Sequence, residues 1–209
     1  IYCPPYTLLK TFYEKVKGSR VDIGAQNFHS NLSSGPYTGH INSKLIKLAG
    51  AKFVIIGHSE NREQGDTNLD INNKIKAAIK ENLNVIFCIG EKLIDKKKKR
   101  TYSILKKQIQ KGLNKVKNLK KIIIAYEPVW SIGTGTIPKN SELKVNLLNI
   151  RKILSSFKKS KNIKIIYGGS VGPNNVVDLL QIKEIKGFIV GGSSLKPKKF
   201  IDIIKKSIN

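Results

Sequence analysis

Ala125-Tyr126-Glu127-Pro128-Val129-Trp130-Ser131-Ile132-Gly133-Thr134-Gly135-Thr136 is the stretch on which the reading of this chain turns. It follows the apolar run Ile122-Ile123-Ile124 and precedes an amphipathic pattern that begins near Ser141. A parallel strand delivers its C-terminal residue to the mouth of an α/β fold, where catalytic groups gather. Glu127 occupies that position. Beyond it a rigid Pro-Val-Trp segment leads to a Gly-Thr-Gly tip, the make-up of a hinged flap whose amides can meet an anion. Taken alone, the same letters fit an ordinary strand-to-helix loop with an exposed Glu. The other turns of the chain decide between the two.

On both sides of this stretch, short β-branched runs alternate with longer helical patterns, which signals βα units and a parallel sheet. Strands are expected at Ile1-Tyr2-Cys3, at Val21-Asp22-Ile23-Gly24, and over 53–57, 85–89, 122–124, 163–167 and 187–190. Helices are expected over 7–17, 43–49, 67–82, 101–116, 141–158 and 198–207, with a short one opened by Pro173. In the helix over 141–158 the apolar residues Leu143, Leu147, Ile150, Leu154 and Phe157 step by four and three, as one buried stripe requires. The Gly/Ser-rich loop from Gln26 to Gly39 is too long for a plain connector. The run Lys96–Lys99 precedes a helix. This gives seven strand-plus-helix units in a single domain over residues 1–209, without a linker.

Chemistry collects at the strand ends. His58 follows the third strand, Glu127 the fifth, Gly168-Gly169-Ser170 the sixth and Gly191-Gly192 the seventh. That distribution suits the active face of a (β/α) barrel, with a phosphate cradle built by the final loops. Glycines let backbone N–H groups approach phosphate oxygens closely, and Ser170 can add its hydroxyl. A lone histidine is most often structural. His58, however, lies between a strand and the helix start Ser59-Glu60, where it can be held neutral and donate a hydrogen bond. A carboxylate base, a neutral imidazole and a phosphate cradle suit proton shuttling beside the carbonyl of a small sugar phosphate.

Composition excludes several other classes. With 209 residues, 40% hydrophobic and 25% charged, the chain has a sizeable core and no apolar run long enough to span a bilayer. No membrane partner and a cytoplasmic location are therefore expected. Cys3 and Cys88 are too few for a disulfide framework. Asn31-Leu32-Ser33 matches a glycosylation sequon and reads as chance. A net charge of +25 invites a nucleic-acid reading. Yet all but four of the 39 basic residues are lysine and they are spread along nearly every helix, whereas specific readers of bases and phosphates favour arginine forks. Only weak, salt-labile association with nucleic acid is expected.

These residues carry a family resemblance over essentially the whole length. Gly24-Ala25-Gln26-Asn27, Tyr37-Thr38-Gly39, Gly57-His58-Ser59-Glu60, Cys88-Ile89-Gly90-Glu91, the flap 125–135, Tyr167-Gly168-Gly169-Ser170-Val171 and Val190-Gly191-Gly192 together make the chain resemble triosephosphate isomerases. The resemblance implies a TIM (β/α)8 barrel whose substrate is a small phosphorylated triose. Glu127 would move a proton between C1 and C2 of dihydroxyacetone phosphate or D-glyceraldehyde 3-phosphate, and His58 would polarise and protonate the enediolate oxygens. Gly133, Ser170, Gly191 and Gly192 would hold the phosphate, and Glu60 and Thr38 would be supporting residues. Flap closure would exclude water. Neither metal nor cofactor is implied, and a homodimer is implied for the full-length protein.

Departures from the resembled pattern are equally specific. The family opens with a strand carrying an Asn and a Lys at the substrate, whereas Ile1-Tyr2-Cys3-Pro4-Pro5 matches the end of its second strand. Together with the absence of methionine, this leads us to expect a fragment lacking the first βα unit. Where the family has Glu after Thr38-Gly39 and Arg after Glu60, this chain has His40 and Asn61, a coupled change in which His40 could bond Asn61. The segment 62–66 looks one residue short, and Lys186 stands where an acid usually meets the arginine matching Arg151. The alternative function is a shortened, inactive barrel paralogue serving as a binding or assembly protein. Losing an electrostatic group such as the family's lysine costs about 10²–10³ in rate. The 209-residue polypeptide is therefore expected to be marginal in solution and nearly inactive in a steady-state isomerase assay; near-normal turnover would contradict this.

Overall fold

The computed structural model describes residues 1–30 and 35–208; the sequon Asn31-Leu32-Ser33 lies outside the described residues. Among these residues six strands alternate with helices: β1 (Gly24–Ala25), β2 (Phe53–Ile56), β3 (Asn84–Ile89), β4 (Ile122–Tyr126), β5 (Lys164–Tyr167) and β6 (Ile185–Phe188). Their order in the sheet is their order in the chain, β1 to β6, as successive βα units produce. β1 pairs with β2 and β2 with β3 in parallel, with Gly24 opposite Phe53 and Phe53 opposite Asn84. The expected opening strand is reduced to one parallel bridge, Tyr2 with Ile23, because Pro4 and Pro5 cannot continue a ladder.

The chain divides into two compact units, Ile1–Phe87 with Gln110–Ile123, and Cys88–Ile109 with Ile124–Asn209. In the first, α1 (Leu9–Val16) follows a 3-10 turn at Tyr6–Leu8, so the expected helix over 7–17 is split by a tighter first turn. It is followed by α2 (Ser43–Leu48), α3 (Ser59–Glu63) and α4 (Asn68–Lys80). Asn42 caps α2 by accepting from Leu45 N–H, and Thr67 with Asp70 forms a reciprocal capping box that starts α4. Lys74 is 5% exposed, so its charge needs a partner. Both Asp66 oxygens lie 2.6 and 2.7 Å from its Nζ and Asn27 Oδ1 lies 3.2 Å away, which fixes the root of the long loop.

The second unit contains α5 (Leu93–Lys97), most of α6 (Thr101–Gly112), α7 (Asn140–Leu154), α8 (Val176–Leu180) and α9 (Pro197–Ile208). The α7 stripe holds, since Leu143, Leu147, Ile150 and Leu154 are all fully buried. Phe157 lies beyond the helix end. At the strand ends, Glu127 N–H donates to Ile89 O (2.8 Å), Gly168 N–H to Tyr126 O (2.9 Å) and Ile189 N–H to Tyr167 O (3.0 Å). The expected last strand, 187–190, is shifted to Ile185–Phe188. Gly187 has φ of 149°, and the register moves from Ile165 opposite Ile185 to Tyr167 opposite Phe188. One extra residue on β6 makes this a bulge, which only glycine accommodates easily at that φ. The strand expected at Val21–Gly24 likewise pairs later, over Gly24–Ala25.

Among the described residues no helix is long and apolar enough to cross a membrane. In the first unit, Gly50 turns the chain from α2 into β2 at φ of 100°, and a Cβ there would lie 2.2 Å from Tyr13 Cγ. Gly50→Ala therefore combines left-handed strain with a collision against α1. It should lower unfolding stability by about 2 kcal/mol or more, read as a shift in urea midpoint at unchanged slope.

Candidate active site

In the first unit, the chain leaves β2 through Gly57, at φ of 80°, and places His58 as the N-cap of α3. Its Nδ1 accepts from Glu60 N–H at 3.4 Å, so the imidazole proton resides on Nε2, which can donate. Burial lowers the His58 pKa below its ordinary value, opposed by Glu60. The Glu60 carboxylate lies 3.8 Å from Nδ1 but its side chain is 77% exposed, so water screens it and desolvation prevails. Geometry and electrostatics agree on a neutral imidazole. Arg62 Nε donates to Gly57 O (2.7 Å) and braces the turn. Thr38 is in an exposed turn of the long loop, and His40 lies against His29 with ring centroids 4.1 Å apart.

In the second unit, Glu127 ends β4 with only 3% exposure. Two missing side chains make room for it. A Cβ on Gly90 would sit 1.8 Å from Glu127 O, and one on Gly168 would sit 2.5 Å from Glu127 Cγ and 2.7 Å from Oε1. The carboxylate thus lies against the glycine turn that follows β5. Gly169 serves differently, since a Cβ there would meet Tyr167 Oη at 2.0 Å and Ser131 Oγ at 2.6 Å.

The flap is tied down along its length. Ser131 Oγ donates to Thr136 O (2.6 Å), so in its 3.1 Å contact with Tyr167 the phenol is the donor. Ser170 Oγ donates to Ser131 O (2.7 Å) and accepts from Gly135 N–H (3.0 Å). The Ser170 hydroxyl, expected to face a phosphate, is here bonded to the flap at both ends. Gly133 has φ of 69° and is exposed at the flap tip. Gly191 and Gly192 are exposed at the turn after β6, and Ser193 Oγ donates to Val171 O (3.0 Å), joining that turn to the one after β5. Glu127, Gly133, Ser170, Gly191 and Gly192 therefore lie in one unit; His58, Glu60 and Thr38 lie in the other.

Sequence reasoning gave no role to the network beneath the flap. Glu91, fully buried, accepts from Trp130 Nε1 (2.9 Å) and Tyr126 Oη (3.2 Å), while Asn146 Nδ2 donates to that phenol (2.9 Å). Desolvation raises the Glu91 pKa against the opposing effect of these bonds. The available signal was an acid directly after Gly90 at the end of a continuously apolar strand. Arg151, left without the acid expected near Lys186, donates to Ile163 O (2.8 Å). No group of three or more His, Cys, Asp or Glu residues that could hold a metal occurs among the described residues.

Sequential parallel strands alternating with helices, with polar groups and glycine turns at the strand ends, define an enzyme of the parallel α/β barrel class. The triosephosphate isomerase family model matches residues 1–207. Triosephosphate isomerase from Dictyoglomus thermophilum is 42% identical across 98% of this chain and 84% of its own length, and that from Thermodesulfovibrio yellowstonii is 40% identical across 97% and 83%. A crystal structure of triosephosphate isomerase from Bartonella henselae superposes with a TM-score of 0.91 at 33% identity, covering 99% of this chain and 86% of that one. The chain belongs to the triosephosphate isomerase family.

The neutral state of His58 has a thermodynamic consequence. Its folded pKa lies below the unfolded value near 6.5, so the unfolded chain binds the proton more readily. Stability is complete above pH 6.5 and is lost as pH falls from 6.5 toward the depressed folded value. Urea midpoints should drop between pH 7.5 and 5.5, and His58→Gln should make that drop smaller. Some dependence will remain from His29, whose pKa burial also lowers.

Proposed function

We propose that this chain interconverts dihydroxyacetone phosphate and D-glyceraldehyde 3-phosphate. The observation that carries the proposal is Glu127, a carboxylate with 3% exposure at a parallel strand end, beside a flap whose tip is bonded to Ser170. Glu127 removes a proton from C1 of the ketose, and the C–H electron pair becomes the enediolate double bond. The carbonyl π pair moves onto O2, which takes a proton from Nε2 of His58. That nitrogen then recovers the O1 hydroxyl proton as the C1 aldehyde forms, and the same carboxylate returns its proton to C2. Nε2–H of His58 donates to the oxygens on which charge develops, and a neutral imidazole is well matched to that task because it stays a donor without forming a full ion pair.

The phosphate is held at Gly133, Ser170, Gly191 and Gly192, and Glu60 and Thr38 are supporting residues of the site. Flap closure keeps water from an intermediate prone to losing phosphate. The reading includes a homodimer for the full-length protein and a cytoplasmic role in glycolysis and gluconeogenesis. Nothing observed favours the inactive binding paralogue.

The test follows proton abstraction, which stays measurable when turnover is slow. Dihydroxyacetone phosphate is incubated with the protein in D2O, and loss of the C1 proton signal is followed by NMR. The parent should exchange C1 above the buffer rate, Glu127→Gln should fall to that rate, and His58→Gln should lose about 10²–10⁴-fold. Exchange by Glu127→Gln at the parental rate would refute the assignment.

A further inference from the structure

Of the four lysines in the run 96–99, Lys96 stands apart. Lys97, Lys98 and Lys99 are exposed, whereas Lys96 is half-buried on α5. Its Nζ lies 3.6 Å from the centroid of the Trp130 ring, close contact for a cation over an indole face. The same ammonium is 2.9 and 3.0 Å from the two carboxylate oxygens of Glu142, in the first turn of α7. Trp130 is the middle residue of the 3-10 turn Val129–Ser131 that opens the flap. Its edge is fixed by the bond from Nε1 to Glu91, and its face is covered by Lys96. The flap's first turn is thus gripped by a helix before it and, through Glu142, by the helix after it.

We propose that Lys96 is a positioning residue: by holding the Trp130 indole between its ammonium and Glu91, it sets the resting position of the flap. The inference rests on the reading of Glu127 and the flap given above. Swinging the flap open displaces the indole and gives up the cation–π contact, which biases the flap toward the arrangement in which Gly135 is bonded to Ser170. Replacing Lys96 with Met keeps the stem but removes the ammonium, leaving Glu142 without its cation. Replacing it with Arg keeps both the charge and the capacity to stack on the ring.

Trp130 is the only tryptophan in the chain, so its fluorescence reports on this contact without labelling. Acrylamide quenching is measured for the parent, Lys96→Met and Lys96→Arg at matched far-UV circular dichroism. The quenching constant should rise about two- to fivefold in Lys96→Met, in line with loss of a partly desolvated cation–π contact, and remain near parental in Lys96→Arg. C1 exchange should slow in Lys96→Met through kcat with little change in KM, and recover in Lys96→Arg. Parental quenching in Lys96→Met would overturn the proposal. If Lys96→Met does not fold, Glu142→Gln must raise quenching instead, and unmoved quenching there would equally overturn it. A parent that exchanges no C1 protons would remove the Glu127 reading, while the quenching comparison would still decide the role of Lys96.

Discussion

Burying a carboxylate at the end of a parallel strand requires room and a fixed backbone, and both come from glycines here. Glu127 N–H is held by Ile89 O at 2.8 Å, and the approach of the two chain segments leaves no space for a side chain at Gly90. Across the carboxylate, Gly168 leaves the side chain of Glu127 its place. The Gly90 contact fixes the Glu127 backbone and the Gly168 contact leaves room for its side chain, so the segments at the ends of β3, β4 and β5 together set where the carboxylate lies. A functional group on a rigid element is placed more accurately than one on a loop.

Beneath the flap, the same unit buries a second acid, Glu91, with a different assignment of partners. Trp130, Tyr126 and Asn146 satisfy Glu91 directly or in sequence, which offsets the desolvation that raises its pKa. Glu91 thus anchors the start of the flap, while Ser131, Tyr167 and Ser170 anchor its far end. Two buried acids one strand apart differ in their neighbours: Glu91 is met by Trp130 and Tyr126, whereas Glu127 lies against Gly90 and Gly168.

Much of this was legible in the chain itself. Alternating runs gave the βα units, the α7 stripe was readable to Leu154, and His58 was expected at a helix start, where it is the N-cap of α3. What escaped depends on long-range contacts. The partners of Glu91 lie 35 and 39 residues away, and nothing local marks Asn146 as one of the network. The shift of β6 comes from a bulge at Gly187, invisible in a run that reads equally well two residues later. Lys96 is one of four identical letters, separated from the others only by where α5 sets it down. Ser170 was read as a phosphate ligand, and its engagement with Gly135 could be seen only once the flap was folded.

The central claim is that one carboxylate, Glu127, working from one side of the substrate, moves the proton. A single base on one face reaches only one of the two hydrogens on C1 of dihydroxyacetone phosphate. Mass and NMR analysis of the ketose after prolonged incubation with the protein in D2O tests this directly. The account predicts that exchange at C1 stops at one deuterium, at a single prochiral position. Replacement of both hydrogens at comparable rates would contradict it.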